Sequence, residues 1–326
     1  MHPTTYSRAT DSAVAISGIA SSEHAKFLGG GTTLVDLMKL DVEKPRTLVD
    51  VSRLETKSIR AVEGGLEIGA AATNTAVAND AMVKQKFPVL SQAILSGATQ
   101  QIRNMATVGG NLLQRVRCPY FRDGISPCNK RSPGSGCSAK GGLETSLAVL
   151  GTSDACYATH PSDMAVALVA LDAVVRVEGP KGKREIAIES FHTLPGETPH
   201  IETTLARDEL ITSVFVPDSP RGAKSLYLKM RDRASYEFAL ASCAAAIELN
   251  GERVTSARLA LGGVGTKPWR VRDAENILQS GTLGDELYKS VSEAALKDAK
   301  PLPGNAFKIE LAKRVIVKTL KSLLQP

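Results

Sequence analysis

Aromatic residues are scarce in this 326-residue chain: Phe, Trp and Tyr make up 4%, with a single tryptophan. A single-strand nucleic-acid binder stacks bases on aromatic side chains, so that role is disfavoured. No apolar run approaches the ~20 residues that span a bilayer, and no membrane insertion is expected. The opening stretch, MHPTTYSRATDSAVAISGIASSEHA, has one Arg and an apolar patch broken by Ser and Gly. A charged start and a continuous apolar core are both missing, so the chain is expected to carry no export signal of its own. Histidine is sparse too. His2, His24, His160, His192 and His200 are scattered, and His160 before Pro161 reads as a loop residue. There is no HExxH, no Gly-x-Ser-x-Gly elbow and no internal repeat, so nothing points to a zinc peptidase or a serine hydrolase. The formal charge of +6 is modest and dispersed, as suits a cofactor pyrophosphate or an acidic protein partner.

What is present is an ordinary globular composition, 43% hydrophobic and 23% charged, in a chain long enough for two or three domains. Four of the five cysteines fall between Thr107 and Asp163. Nine, eight and eighteen residues separate Cys118, Cys128, Cys137 and Cys156, and the segment CPYFRDGISPCNKRSPGSGC is dense in turn formers. Such a loop is expected to give its thiols no core of their own. Three readings stay open on the residues. Disulfides fit the even count but belong to small secreted domains. Structural zinc prefers short C-x2-4-C knuckles, which are absent. An iron–sulfur cluster needs four thiolates and tolerates wide spacing, and Arg115, Arg117, Arg122, Lys130 and Arg131 would offset its negative charge. Cys243, inside FALASCAAAIEL, reads as packed core.

Two glycine turns stand out. In AKFLGGGTTLVDLMKL an apolar pair runs into Gly29, Gly30 and Gly31 and then a helical pattern, a recipe for holding phosphate at a helix N-terminus. It is not the dinucleotide fingerprint, since the third glycine would fall on Leu34, and no Walker lysine follows. A second turn, TVGGNLL, suggests an anion nest of amides around Gly109, Gly110 and Asn111 with the Thr107 hydroxyl. Two such turns suggest a cofactor with two phosphates; the competing reading is plain tight turns. Asp163 opens an apolar helical run behind a Ser-Asp cap signal and by default is a capping residue.

Elsewhere the pattern predicts a strand at 47–54, a hairpin over 58–73 turning at Gly64-Gly65, and helices at 74–80, 88–97 and 162–171. A second hairpin flanks GPKG, and a strand covers 209–216. Pro217 to Lys224 reads as a linker. Beyond it, three strands (SLYLKMR, FALASCAAAIEL, RVTSARLALGGV), with Asn250-Gly251 as a hairpin turn, precede helices at 271–279, 285–298 and 307–324.

With these residues together, the chain resembles the FAD-binding subunits of the molybdenum hydroxylases, a family of xanthine dehydrogenases, carbon monoxide dehydrogenases and aldehyde oxidoreductases. FLGGGTTLVDLMK resembles the family's first FAD loop, ATVGGNLL its second and PSDMAVALVALDA the following helix. The cysteine insertion, with RCPYF, PCNKR, PGSGC and a cysteine before ATHPSD, is similar to that of the periplasmic aldehyde oxidoreductase branch. The resemblance implies an α+β fold: a two-subdomain FAD-binding domain of the PCMH/VAO type over 1–220, with a 4Fe-4S loop at 115–157. A small α+β domain with a three-stranded antiparallel sheet and helices follows over 221–326. It implies FAD wrapped by Phe27, Leu28, Gly29, Gly30, Gly31, Thr32, Thr33, Leu34 and Val35, completed by Thr107, Gly110 and Asn111. Asp163 then bonds sugar and ribityl hydroxyls, Ile211 touches the ring system, and Lys229 sits beside the flavin. Thr33 departs from the family's common Asn. It also implies one 4Fe-4S cluster on Cys118, Cys128, Cys137 and Cys156, and electron transfer from a molybdenum-cofactor large subunit, through a 2Fe-2S small subunit, to an external acceptor. No catalytic residue is expected here, and the location implied is the periplasm, with the cytoplasm as alternative. A 4-hydroxybenzoyl-CoA reductase-like flavin subunit, a zinc-stapled structural subunit and a self-contained flavin oxidase are the competing readings.

Overall fold

A computed structural model describes residues 2–218 and 223–324. The chain opens with β1 (Thr5–Arg8), α1 (Ser12–Ala20), β2 (Ala25–Leu28), α2 (Leu34–Lys39) and β3 (Thr47–Asp50). The three strands are parallel in the order β1-β3-β2. Asp11 starts α1 by accepting the Val14 N–H at 2.8 Å, and the helix buries Ala15, Ile16 and Ile19 against Ala25 and Val49.

A second unit follows. β4 (Ile59–Val62) and β5 (Gly65–Gly69) form the predicted hairpin, but its turn is Glu63-Gly64, because Gly65 already pairs with Val62. Gly64 takes the left-handed backbone (φ +77°) that a tight hairpin needs. Five helices come next: α3 (Asn74–Asn79), α4 (Ala81–Lys86), α5 (Pro88–Ser96), α6 (Gln100–Met105) and α7 (Val108–Leu112). Asp80 ends α3 and caps α4, accepting from Met82 and Val83, so one predicted helix is followed at once by another. After α8 (Pro119–Arg122) in the cysteine segment come α9 (Asp163–Ala170), β6 (Val174–Gly179), β7 (Gly182–Ala187), α10 (Ile188–Phe191) and β8 (Leu210–Pro217). The sheet is antiparallel in the order β4-β5-β8-β6-β7. Its core includes every residue of α9 from Met164 to Ala170.

The C-terminal unit holds β9 (Lys224–Met230), β10 (Ala241–Asn250), β11 (Arg253–Gly262), β12 (Trp269–Arg270), α11 (Arg272–Ser280), α12 (Asp285–Ala295) and α13 (Phe307–Leu324). Its sheet has four antiparallel strands, β12-β11-β10-β9, not the three expected. The extra strand is two residues long, pairing Trp269 and Arg270 with Leu261 and Ala260, too short to show an alternating pattern. Along β10, Ala241, Cys243, Ala245 and Ile247 pack under the C-terminal helices, while Ala244 and Ala246 join the core around α9. Burial on both faces explains the unbroken apolar run, and Cys243 is core as expected. The centre of the expected linker, residues 219–222, lies outside the described residues.

A candidate cofactor cleft beside four thiols

The two glycine turns, far apart in sequence, touch each other. A Cβ on Gly30 would stand 1.7 Å from the Met105 carbonyl oxygen, and one on Gly29 would stand 2.9 Å from Thr107 Oγ1. Only glycine permits that approach. Gly31 turns the chain with φ +75° into α2. Among the described residues no protein acceptor takes the N–H groups of Gly30, Gly31, Thr32 and Thr33. Those amides face a cleft of about 420 Å³ lined by Phe27, Gly29 to Leu34, Thr107, Gly110 and Ile211. Free amides at a helix start, with no side chain in the way, suit a diphosphate.

The second turn works differently from the nest expected. Gly109 N–H donates to Ala70 O (2.9 Å), Gly110 N–H to Thr107 Oγ1 (3.2 Å) and Asn111 N–H to Thr107 O (2.8 Å). With its amides spent inside the protein, this loop offers the cleft a surface and the Thr107 side chain. Asn111 instead ties the loop to α9, its Oδ1 accepting from Ser162 Oγ at 2.6 Å.

Ser162, not Asp163, caps α9, accepting the Ala165 N–H at 3.0 Å. Asp163 is released for another task. Its carboxylate accepts from Tyr227 Oη at 2.5 Å and from Lys229 Nζ at 2.8 Å, and the Lys229 and Asp163 side chains are only 3% and 9% exposed. Burial pushes the Tyr227 hydroxyl well above its ordinary pKa, so it stays a donor. Leu28, Val35, Asn111, Asp163 and Lys229 stand apart from the lining of the large cleft; Asp163 lines a second one, of about 210 Å³.

Sequence reasoning missed two histidines. His160 and His192 meet edge to face with centroids 4.4 Å apart, and both line the large cleft. Burial holds His160 well below the ordinary histidine range and His192 at about 4, so both are neutral. They lie 32 residues apart in sequence, and no spacing could have flagged them.

The four loop thiols converge, and they do have a core, contrary to expectation. Cys118, Cys128 and Cys156 are buried with Val116, Phe121, Leu147 and Tyr157, and Cys137 packs against the same cluster. Phe121 comes from the start of the tract, and Val116, Leu147 and Tyr157 come from outside it. None of the thiols is in a disulfide. Burial pushes the Cys156 thiol up to about 11 and raises that of Cys118, with Cys128 and Cys137 close enough to add to both. Among the described residues no group of three or more His, Cys, Asp and Glu side chains is tight enough for a single metal ion. The neighbouring cations are less available than expected. Arg115 pairs with Glu43 (2.6 Å) and Glu202 (2.5 Å), Lys130 with Glu202 (3.1 Å), Arg117 and Arg122 with Asp36, and Arg131 with Asp123.

Residues 2–219 match the family described as the FAD binding domain in molybdopterin dehydrogenase, and residues 225–323 match the CO dehydrogenase flavoprotein C-terminal domain. The chain belongs to the FAD-binding medium subunits of the molybdenum hydroxylases. It is 49% identical to the aldehyde oxidoreductase FAD-binding subunit of Escherichia coli, covering 97% of this chain and 96% of that one. It is 27% identical to the glyceraldehyde dehydrogenase medium chain of Sulfolobus acidocaldarius, over 97% and 94%. In fold it superposes on the carbon monoxide dehydrogenase structure from Hydrogenophaga pseudoflava with a TM-score of 0.78 at 23% identity, covering 99% and 97% of the chains. Quinoline 2-oxidoreductase from Pseudomonas putida gives 0.77 at 20% identity, over 99% and 98%. As a medium subunit it is one component of an oxidoreductase that also has large and small subunits, and its first domain is the FAD-binding part.

Proposed function

We propose that this medium subunit is the electron-transfer component of a heterotrimeric, molybdenum-dependent aldehyde oxidoreductase, and that Cys118, Cys128, Cys137 and Cys156 hold one 4Fe-4S cluster. The observation that carries the reading is four thiols gathered in one cluster, three of them buried, beside a cleft where the amides of Gly30 and Gly31 are free. The aldehyde oxidoreductase subunit of Escherichia coli, nearly half identical over almost the whole chain, supports the reaction class, aldehyde and water to carboxylic acid. That chemistry belongs to the large molybdenum subunit, with electrons arriving through the 2Fe-2S small subunit and leaving to an external acceptor. Bound FAD supplies exchange of one or two electrons.

The chain's own residues hold and orient. The amides of Gly30 to Thr33 and the start of α2 take the diphosphate, Phe27 and Ile211 give apolar contact, and Asp163 and Lys229 hold a fixed charge pair near the second cleft. Structural zinc prefers short C-x2-4-C knuckles, which this segment lacks. An iron–sulfur cluster tolerates the wide spacing of these four cysteines, and binding it would release the protons that burial retains on Cys118 and Cys156. We place the assembly in the periplasm, exported folded on a partner's signal.

The test is an anaerobic ultraviolet–visible spectrum of the purified complex, with iron counted on the separated chain. Flavin bands with about four irons, lost on Cys128→Ser, are expected. Flavin without iron would refute the cluster; neither flavin nor iron would refute the electron-transfer role.

A further inference from the structure

The middle of the cysteine segment is a short hairpin that sets Cys128 directly opposite Cys137 in antiparallel register. Two backbone bonds bracket the pair: Asn129 N–H donates to Gly136 O at 2.7 Å, and Ser138 N–H donates to Pro127 O at 3.1 Å. Each bond joins neighbours of the cysteines, which makes this a non-hydrogen-bonded cross-strand pair, the kind whose side chains stand closer. In that register the Cα atoms lie about 4.5 Å apart, within the span of about 4.4–6.8 Å that a disulfide bridges. Side-chain bonds fix the hairpin in this shape. Cys128 N–H donates to Ser135 Oγ at 2.9 Å and Gly136 N–H to Asn129 Oδ1 at 2.8 Å, while Asn129 Nδ2 donates to Ala155 O at 3.2 Å. Joining the two sulfurs calls for side-chain rotation and little movement of the backbone.

The other two thiols of the segment have no cysteine across from them. Cys118 is the residue that opens α8, and Cys156 faces Ser153. Cys118, Cys128 and Cys156 are buried, whereas Cys137 is only half-buried. Cys137 is the sulfur that an oxidant in solution meets first, and Cys128 is the one placed to resolve the mixed disulfide that results.

We propose that Cys128 and Cys137 form a reversible disulfide in the iron-free chain and that this bond closes the cluster site. The closing rests on the reading of the four cysteines as cluster ligands; the bond itself does not. The oxidant is a small-molecule disulfide such as glutathione disulfide. The Cys137 sulfur bonds to one sulfur of the oxidant, the oxidant's own sulfur–sulfur bond breaks, and one glutathione leaves with the Cys137 proton. The Cys128 sulfur then displaces the second glutathione from Cys137, and that glutathione takes the Cys128 proton. Two electrons pass from the cysteine pair to the oxidant, and a dithiol reductant reverses both steps. Only Cys118 and Cys156 then remain, too few for a 4Fe-4S cluster, which is held by four thiolates. A bound cluster in turn engages both sulfurs, so the chain holds either the cluster or the disulfide. In an oxidising compartment the bond persists, and the empty site stays shut until a reductant opens it.

The experiment takes the purified complex, stripped of iron by a chelator under anaerobic reducing conditions, and exposes it to glutathione disulfide. Free thiols are then alkylated and the chain is mapped by tryptic digestion and mass spectrometry. Cleavage at Lys130 and Arg131 puts Cys128 and Cys137 on separate peptides, so the bond shows as one linked pair that dithiothreitol separates. That pair is expected, with Cys118 and Cys156 fully alkylated. On incubation with ferrous iron and sulfide, the reduced sample should take up about four irons on this chain, and the oxidised sample none until dithiothreitol is added. Four alkylated thiols after oxidation, or a linked pair that includes Cys118 or Cys156, would overturn the proposal. If iron uptake is normal in that case, the cluster reading stands without it. A Cys128–Cys137 link that leaves iron uptake unchanged overturns the closing of the site. A link in a chain that takes up no iron even when reduced overturns the closing together with the cluster reading.

Discussion

Gly30→Ala is the sharpest probe of the cofactor cleft, because the structure fixes what the added methyl meets. The new Cβ would lie 1.7 Å from the Met105 carbonyl oxygen, where a carbon–oxygen contact is ordinarily about 3.3 Å. The partner is backbone, so no side-chain rotation relieves it, and the two turns must part by about 1.6 Å. Overpacking of this kind costs typically 1–3 kcal/mol in stability. The larger effect falls on the ligand: the amides of Gly30 to Thr33 move off the positions from which they would bond a diphosphate. Losing two charge-assisted hydrogen bonds of about 1.5 kcal/mol each corresponds to roughly a hundredfold weaker FAD binding. Flavin-to-protein ratio after gel filtration, and Kd from flavin fluorescence on titration, read this directly. Gly64→Ala is the control. It forces a non-glycine residue to φ +77° with nothing within 4 Å, so it costs about 1 kcal/mol in stability and leaves FAD affinity alone. Full flavin content in purified Gly30→Ala would refute the claim that these two turns form the diphosphate site.

Three further outcomes follow from buried charges. Lys229→Met leaves the Asp163 carboxylate with Tyr227 alone and should destabilise the chain by about 3–5 kcal/mol in denaturant unfolding; a Lys229→Met, Asp163→Leu double variant should lose less than the summed singles, and additivity would deny the coupling. His192 is held neutral at about 4 by burial, against 6.5 unfolded. The unfolded chain therefore gains a proton first, and this group's contribution of roughly 3 kcal/mol is whole above pH 6.5 and is lost as pH falls toward 4. An acid-unfolding profile unaltered by His192→Phe would contradict that. Lys308, pushed down to about 8 by burial, works at the other end: stability should rise between pH 8 and 10.5, and Lys308→Met should flatten that rise in thermal melts.

Some of this was legible because a local physical demand leaves a mark in the sequence. Gly31 is needed by the backbone where the chain turns with φ +75° into α2, and α13 shows its buried stripe of Val315, Ile316 and Leu320 in its own spacing. What was not legible depends on the fold. That Gly30 meets Met105 rather than solvent, and that the amides of Gly109 to Asn111 are spent on Ala70 and Thr107, are facts of tertiary approach. The same holds for Asp163, which looked like a cap because Ser162 and Asp163 are both good capping types. Only the arrival of β9, carrying Tyr227 and Lys229, decides which of the two caps. His160 and His192 left no mark at all, since a single buried imidazole imposes no periodicity on its neighbours. The cysteine tract misled in the opposite sense: its composition is that of a solvated loop, yet Val116, Leu147 and Tyr157 from its flanks roof it over.

That roofing is anchored on both sides, which makes the insertion a wedge between domains rather than an excursion. On the C-terminal side Glu144 accepts the Gly304 N–H at 2.8 Å, Lys308 Nζ donates to Leu147 O at 2.9 Å, and Asn305 Nδ2 donates to Leu147 O and Ala148 O. On the FAD side Lys130 Nζ donates to Pro199 O at 2.7 Å, and Arg115 joins Glu43, just beyond α2, to Glu202. Arg115, Lys130 and Cys156 all line the large cleft. Carboxylates already answer the five cations, so little free positive charge is left over for a cluster held by these thiols. The compensation that composition suggested is mostly spent on holding the wedge in place, while a backbone amide, that of Ala158, donates to Cys156 Sγ at 3.5 Å. A charge substitution such as Glu202→Gln would leave Lys130, whose charge already acts on Cys156, without its carboxylate and Arg115 with Glu43 alone, and because Arg115, Lys130 and Glu202 line the large cleft it would disturb that cleft too. Changes at the thiols and changes at the flavin should therefore be coupled in this chain, through one shared ion-pair network.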